Sequence, residues 1–220
     1  MKLISFDVGT RNLAYCVVEF TNVETKFVCR IDAWDVLDLG GSNNSTEKCS
    51  LVLTRILNET FKDIPSLKID FVLIERQPKR SVSMLAVQMF LCQYFSGYVH
   101  DGHVKHVQFV SPKLKLDCSY LRMILGRGWT EAASSPSTSS TSSVSSVVAS
   151  GRAKYAKNKK DAVDTVRHIL EHSLIDHAKL VEFDAASKRD DLADAFLQGL
   201  CWTLSTHMSK PEFRNISMCA

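Results

Sequence analysis

The chain begins with short apolar segments that alternate with polar turns, up to residue 34. Residues 2–8 and 13–20 are rich in β-branched and aromatic residues, which are typical of strands. Between them, residues 9–12 (GTRN) have the composition of a hairpin turn. A third run of the same type covers residues 26–34. The pattern therefore predicts a meander of three strands at the start of the fold.

Helical and extended patterns follow a Gly- and Asn-rich break at residues 40–44. Apolar residues at helical spacing predict an amphipathic helix over 46–63. The nearly continuous apolar run 69–75 is typical of a central strand covered on both faces, and it ends at the carboxylate of Glu75. The same criteria predict a buried helix over 82–98, a strand over 104–110, a helix beginning at Lys157 and a last helix over 190–206. This order of elements indicates a mixed α/β fold.

Residues 134–150 (SSPSTSSTSSVSSVVAS) form a low-complexity segment almost without charge. Such a composition cannot offset the entropy lost on ordering, so we expect a disordered insertion there. Its position before a basic stretch suits a loop at a substrate face, although a surface insertion without a role is the simpler interpretation. The 220-residue chain has room for one core, so residues 1–220 are expected to form a single domain.

Composition bears on the cellular setting more than on the chemistry. The formal net charge of +3 and the pI near 8.4 permit a nucleic-acid partner without indicating one. The seven cysteines are odd in number, widely spread and never in CxxC spacing, so neither a disulfide framework nor a zinc knuckle is indicated. A reducing compartment is therefore expected. With no apolar run near ~18 residues and no visible leader or mitochondrial presequence, the chain is expected to be soluble and intracellular, without a membrane partner.

Four carboxylates occupy positions where the pattern predicts partial burial, which is unfavourable for a charged side chain. Asp7 lies in an apolar strand, and Glu75 ends the most apolar strand of the chain. Asp191 and Asp194 share one face of the last helix. Half-buried carboxylates are costly unless a cation compensates them, and a cluster without Cys or His favours Mg²⁺ or Mn²⁺. Each acid taken singly also fits an ordinary role as a turn residue, a helix cap or a solvated strand end.

Several short motifs carry a specific resemblance. The string FDVGTRN at 6–12 resembles the first-strand motif D-x-G-x-x-N of RuvC-like resolvases. IERQPKRS at 74–81 resembles the E-R-Q motif and downstream R-S of the poxvirus and fungal mitochondrial branch of these Holliday-junction resolvases. SP at 111–112, the lysine pair 159–160 and KRDDLADA at 188–195 are similar to later blocks of the same branch. The five blocks stand in family order across nearly the whole chain, the serine-rich insertion excepted.

The resemblance implies an RNase H-like fold, a mixed five-stranded sheet flanked by helices. In such a sheet the first strand lies beside the fourth, which would bring Asp7 and Glu75 together, and a terminal helix could present Asp191 and Asp194 to the same point. The family pattern makes these four residues the catalytic, metal-binding acids, with Mg²⁺ as cofactor and Mn²⁺ as a substitute. Two such ions about 4 Å apart could drive hydrolysis of a phosphodiester. Asp190 is an adjacent acid without an assigned role.

The implied activity is that of a homodimer that cuts a four-way DNA junction symmetrically, leaving 5′-phosphate and 3′-hydroxyl nicks. Some mitochondrial members carry an N-terminal extension that is missing here, which favours a viral or otherwise non-organellar setting: a viral factory, the nucleus or the cytoplasm. Lys188 is expected to act with the acids by neutralising charge at the reacting phosphate. Contacts to the DNA backbone are expected from Arg76, Lys79, Arg80, Lys113, Lys157, Lys159 and Lys160.

Three other functions fit parts of the same pattern. A branched-DNA or flap nuclease would use the same acids, and a non-catalytic junction-binding module would keep the fold without turnover. The string DVGT at 7–10 also opens actin-like ATPases and sugar kinases, but these need two α/β domains and a longer chain. A second D-x-G motif and a GxxxxGK[ST] loop are both missing, so no nucleotide cofactor is expected.

Overall fold

A mixed sheet of five strands carries helices on both of its faces. The computed structural model describes residues 1–23, 26–40, 46–115, 144–172 and 177–207. The strands are β1 (Lys2–Asp7), β2 (Asn12–Val23), β3 (Lys26–Asp38), β4 (Ile69–Glu75) and β5 (Val104–Val110). The helices within the described ranges are α1 (Thr46–Thr60), α2 (Ile64–Leu67), α3 (Val82–His100), α4 (Val144–His172), α5 (His177–Ala185) and α6 (Arg189–His207).

Strand β1 lies at the centre of the sheet, whose strand order is β3-β2-β1-β4-β5. It pairs antiparallel with β2 and parallel with β4, and β5 is added parallel to β4. This topology confirms the predicted fold class, a mixed five-stranded sheet flanked by helices. It also sets the first strand beside the fourth, which decides where the acidic residues meet.

Alternation along β1 supplies both cores of the protein. Leu3 joins the cluster that contains Phe196 of α6, whereas Ile4 and Phe6 join the cluster that contains Phe95 of α3. Successive strand residues point to opposite faces, so a strand covered on both sides is apolar at most positions. The exception among the buried residues of β1 is Ser5. Each fully buried leucine, isoleucine or phenylalanine side chain contributes about 1.5–3 kcal/mol to stability. The central position of β1 therefore follows from its sequence.

Several element boundaries differ from the predicted ones. β2 and β3 form a longer hairpin than expected, with a β-bulge between Val17 and Val18. Helix α5 was not predicted, because its nine residues are too few to show a clear period. It belongs to the core nevertheless: Phe183 is fully buried and its ring stacks on Trp34 at a centroid distance of 5.4 Å.

The start of α4 differs most from expectation. The helix begins at Val144 rather than at Lys157, so the end of the segment 134–150 is helical where we expected disorder. The remainder of that segment lies outside the described residues. Adding residues to an existing helix costs far less than nucleating one, so a Ser-rich composition is a poor guide to the start of a long helix.

Helix α3 is, by length and composition, apolar enough to cross a membrane, and it is the one such helix within the described ranges. Its residues Val87, Leu91 and Phe95 are buried against the sheet. The prediction of a buried helix holds for one face only, because Val87, Gln88, Leu91 and Phe95 are its only buried residues. Apolar side chains elsewhere on the helix, among them Val82 and Met89, are exposed.

Three cysteines within the described ranges are free thiols: Cys16 and Cys29 are buried, and Cys92 is half-buried.

Candidate active site

Two of the predicted acids meet because their strands are parallel neighbours. The register of β1 and β4 sets Phe6 opposite Ile74, so the next residue of each strand, Asp7 and Glu75, lies at the same edge of the sheet. Side chains at the ends of adjacent parallel strands emerge together into the space beyond the sheet. Asp7 and Glu75 are therefore brought side by side by the pairing of two apolar strands.

Helix α6 crosses the sheet and presents the other two acids to this edge. Its Gln198 is fully buried and donates hydrogen bonds through Nε2 to Ser5 Oγ and to the carbonyl oxygen of Phe6, each at 3.0 Å. These bonds fix the helix to β1 next to Asp7. Asp191 and Asp194 lie in the first turns of α6, and both line the same cavity as Asp7.

A lysine that the sequence analysis did not select lies at the centre of this cluster. Lys115 Nζ is 2.9 Å from Asp7 Oδ1, 3.0 Å from Asp194 Oδ2 and 3.4 Å from Glu75 Oε1. Its side chain is only 10% exposed. Three carboxylates from three separate elements thus surround one cationic centre.

Asp191 is held at the rim of the cluster by different partners. Its Oδ2 accepts a hydrogen bond from Asn12 Nδ2 at 3.4 Å, and its Oδ1 lies 3.8 Å from Lys159 Nζ. Lys159 also forms an ion pair with Asp190, the neighbouring acid, and its Nζ lies 5.3 Å from the centroid of the Tyr155 ring. Asp190 therefore anchors a lysine of α4 beside the acids.

A cavity of about 560 Å³ joins these groups. It opens where β1 and β4 end, and the turn between β1 and β2 forms one wall. The opposite side is formed by α4 and α6. Its polar lining comprises Asp7, Thr10, Arg11, Asn12, Glu75, Arg76, Gln77, Lys115, Asn158, Lys159, Asp191 and Asp194.

The electrostatics of the cavity reflect partial burial and crowded negative charge. Burial raises the pKa of Glu75 to about 7; the Lys115 ammonium opposes the shift and the Asp7 carboxylate adds to it. Burial also raises the pKa of Asp194, again opposed by Lys115. The pKa of Asp191 is raised by burial and by the adjacent Asp190. The cluster therefore favours a cation.

Two buried glutamines hold the Glu75 carboxylate in place. Gln77 Nε2 donates to Glu75 Oε2 at 3.2 Å and to the Glu75 backbone carbonyl at 3.3 Å. The backbone N–H of Gln77 donates in turn to Gln88 Oε1 of α3 at 2.6 Å. Gln77 is the third residue of the E-R-Q motif, and these contacts show that its side chain orients the Glu75 carboxylate.

The basic residues predicted to act at the site differ in whether they line the cavity that contains the acids. Arg76 and Lys159 line the cavity of the acids. Lys188 is exposed and lines an adjoining cavity of about 520 Å³ together with Arg11 and Asn12, so the structure sets it beside the acid cluster rather than within it. The others lie on the surface outside the lining of both cavities: Lys79, Arg80, Lys113, Lys157 and Lys160.

The sequence pattern led to Lys113 as a DNA-binding residue and did not distinguish Lys115, two positions later in the same turn. The backbone N–H of Leu114 donates to the Ser111 carbonyl at 3.0 Å, so the chain reverses directly after β5. This reversal carries Lys115 back over the sheet edge while Lys113 stays exposed. A tight turn after Ser-Pro was the available signal, since it returns the chain toward the strand ends.

The donor set suits a hard divalent cation. Among the described residues, no group of three or more His, Cys, Asp or Glu side chains stands ready to hold a metal ion. The centre of the cluster is instead filled by the Lys115 ammonium, which shows that the three carboxylates converge on a cation. Carboxylate oxygens without sulfur or imidazole are ligands that Mg²⁺ and Mn²⁺ accept.

The fold and the cavity define an α/β protein with an acidic site at the carboxyl ends of parallel strands. Comparison with protein families assigns the chain more narrowly. It belongs to the family described as "Poxvirus A22 protein", which matches residues 1–123, more than half of the sequence. A search of curated protein sequences finds no significant match.

Solved structures share the fold over almost the whole chain. The fowlpox virus resolvase in complex with substrate Holliday junction DNA is 18% identical with a TM-score of 0.53, over 94% of this chain and 99% of that one. RuvC of Thermus thermophilus is 13% identical with a TM-score of 0.54, over 95% of this chain and 97% of that one. The same RuvC with a Holliday junction substrate is 12% identical with a TM-score of 0.53, over 94% and 96%. At these identities the similarity establishes a shared fold, the mixed five-stranded sheet flanked by helices.

Proposed function

We propose that this protein is a Holliday-junction resolvase, a metal-dependent endonuclease that cuts four-way DNA junctions. The observation that carries the proposal is the convergence of Asp7, Glu75 and Asp194 on one cationic centre, with Asp191 in the same cavity. Membership of the poxvirus family and a fold shared with resolvases bound to junction DNA support it.

The metal would be held by Asp7, Glu75, Asp191 and Asp194, with Mg²⁺ as the proposed ion and Mn²⁺ as a substitute. When bound, it supplies Lewis-acid activation and charge stabilisation for hydrolysis of a phosphodiester, with 5′-phosphate and 3′-hydroxyl products. The protein contributes the positioning: Gln77 orients the Glu75 carboxylate, and Gln198 fixes α6 and its acids against β1.

Cationic side chains around the cavity would bind the DNA backbone. Arg76 and Lys159 at the cavity wall are placed to contact the phosphates nearest the acids. Lys188 in the adjoining cavity would neutralise charge on the same strand, one step further from the reacting atoms. The exposed lysines and arginine would position flanking duplex without reading its sequence. These are Lys79, Arg80, Lys113, Lys157 and Lys160.

The active assembly is proposed to be a homodimer. A four-way junction has two-fold symmetry, and a two-fold dimer would present two equal sites to strands of like polarity. Symmetric paired cuts would follow from that arrangement.

A cleavage assay tests the proposal. Purified protein is incubated with a mobile four-way junction, a flap and a linear duplex, each with Mg²⁺ and with EDTA. We expect Mg²⁺-dependent paired nicks in the junction and little cutting of the duplex. Equal cutting of flap and junction would indicate a broader branched-DNA nuclease, and junction binding without nicking would indicate a non-catalytic module.

Two conservative variants connect the activity to the cavity. Asp7→Asn and Glu75→Gln should abolish cutting but leave junction affinity within about tenfold, because phosphate contacts by cationic side chains dominate binding. Binding is measured in EDTA and cutting in Mg²⁺ with the same junction. Retained cutting by either variant would refute the assignment of the acids.

A further inference from the structure

Lys115 is the one described residue that contacts carboxylates of β1, β4 and α6 together. Its ammonium carries three N–H donors, which matches the three acids around it. Nζ donates a hydrogen bond to Asp7 at 2.9 Å and lies within ion-pair distance of Glu75 and Asp194. With only 10% of the side chain exposed, solvent screens these contacts weakly.

We propose that Lys115 is a built-in counter-ion that neutralises the acidic cluster while the metal is absent and competes with the divalent ion for the same carboxylates. The inference rests on the proposed function, since it takes Asp7, Glu75 and Asp194 as metal ligands. An ammonium centred between three carboxylates occupies space that an ion bound to the same oxygens would need. Binding of a divalent ion therefore requires Lys115 to withdraw.

This arrangement gives Lys115 two effects of opposite sign. Without metal, loss of the ammonium leaves three half-buried carboxylates to repel one another, which destabilises the fold. With metal, loss of the ammonium removes a competitor, which tightens binding of the divalent ion. A lysine that only supports the structure would produce the first effect and not the second.

Lys159 does not share this position. Its principal partner is Asp190, and it approaches the acids only at Asp191. Lys105 offers a matched control because it is also a lysine paired with a carboxylate, but it lies at the beginning of β5 and pairs with Asp70 at the end of the sheet opposite the acids. Removing Lys105 takes away one ammonium from an ion pair without touching the acidic cavity.

The test measures Mn²⁺ binding and thermal unfolding of the full chain without DNA. For Lys115→Met we expect Mn²⁺ affinity by titration calorimetry to rise on the order of tenfold, the equivalent of one charged hydrogen bond. Its melting temperature in EDTA should fall below that of the unmodified protein, and the gap should close at saturating Mn²⁺. Lys105→Met should leave the Mn²⁺ affinity unchanged.

Unchanged or weaker Mn²⁺ binding by Lys115→Met would overturn the proposal, as would the absence of Mn²⁺ binding by both proteins. If Lys115→Met does not fold in EDTA, Lys115→Gln is measured beside it. Folding of either variant on addition of Mn²⁺ would support the counter-ion role, and failure of both to fold with Mn²⁺ would contradict it. If the unmodified protein leaves junctions intact while Lys115→Met binds Mn²⁺ more tightly, the resolvase function is refuted and the role of Lys115 is sustained.

Discussion

The side-chain oxygen of Gln88 accepts a hydrogen bond from the backbone N–H of Gln77 at 2.6 Å, and both residues are buried. Gln88 belongs to α3, whereas Gln77 is the second residue after the end of β4, so the bond joins a core helix to the segment that leaves the sheet edge. Gln77 passes this constraint on by donating to the Glu75 carboxylate at 3.2 Å. The position of a candidate catalytic acid thus depends on a helix that contributes no residue of its own to the acid cluster.

Gln88→Leu should destabilise the protein by about 1–3 kcal/mol, because it leaves the buried N–H of Gln77 without an acceptor while keeping the side-chain volume similar. The free energy of unfolding in urea measures this loss. Gln93→Leu is the control, since Gln93 is exposed on the same helix and the same substitution there should change stability by less than about 0.5 kcal/mol. Equal stability of the two variants would show that the Gln88 bond contributes nothing.

Gly9→Ala should destabilise the turn that carries Asn12 to the site. A Cβ atom at Gly9 would lie 2.3 Å from the Asn12 carbonyl oxygen, and backbone must shift to relieve that overlap. We expect a loss of more than about 1 kcal/mol in urea unfolding, the usual scale for forced overlap of this kind.

Gly97→Ala is the matched control for that substitution. Gly97 lies in α3 with open space around the position of its Cβ, so alanine there should stabilise the protein by about 0.5–1 kcal/mol. Opposite signs for the two glycines are the expected result. A stabilising Gly9→Ala would mean that the turn relaxes without strain.

The sequence predicted the sheet better than it predicted the cavity. Strand β4 and its terminal Glu75 could be recognised because a sheet covered on both faces requires a continuous apolar run, and that requirement is local. The role of Lys115 depends on a turn that returns it to three acids far away in sequence, and Lys113 has the same chemical character. Local patterns do not distinguish two lysines in one turn; the tertiary contacts do.

Tertiary contacts also determine which basic residues near α6 approach the acids. Lys188 precedes the acids in sequence, yet the start of the helix sets it on the side of the adjoining cavity. Lys159 is 31 residues from Asp190 in sequence, but packing of α4 on α6 brings it to Asp190 and Asp191. Proximity along the chain led us to expect Lys188 beside the acids. The packing of α4 on α6 instead places Lys159 in the cavity that the acids line.

Asp70 lies near the beginning of β4, at the opposite end of the strand from Glu75, and its ionisation links the stability of the fold to pH. Burial opposes ionisation of Asp70, but the Lys105 ammonium at 2.5 Å and the backbone N–H of Lys2 at 2.8 Å lower its pKa below the ordinary value. A carboxylate whose pKa is lower in the folded state stabilises the fold above its unfolded pKa of about 3.9. That contribution is lost as the pH falls through the lower, folded value.

Asp70→Asn isolates this contribution, because its amide oxygen can still accept the Lys2 N–H while the charge is gone. At neutral pH the variant should be less stable by under about 1 kcal/mol, since Lys105 is largely exposed and solvent screens the pair. Urea midpoints over a pH series should converge in the acid range, where Asp70 is protonated in both states. Asp63→Asn serves as the control, because Asp63 is exposed and its side chain caps no helix N–H. A gap between Asp70→Asn and the unmodified protein that stays constant down to the lowest pH would mean that its cause is packing, because a charge effect must vanish on protonation.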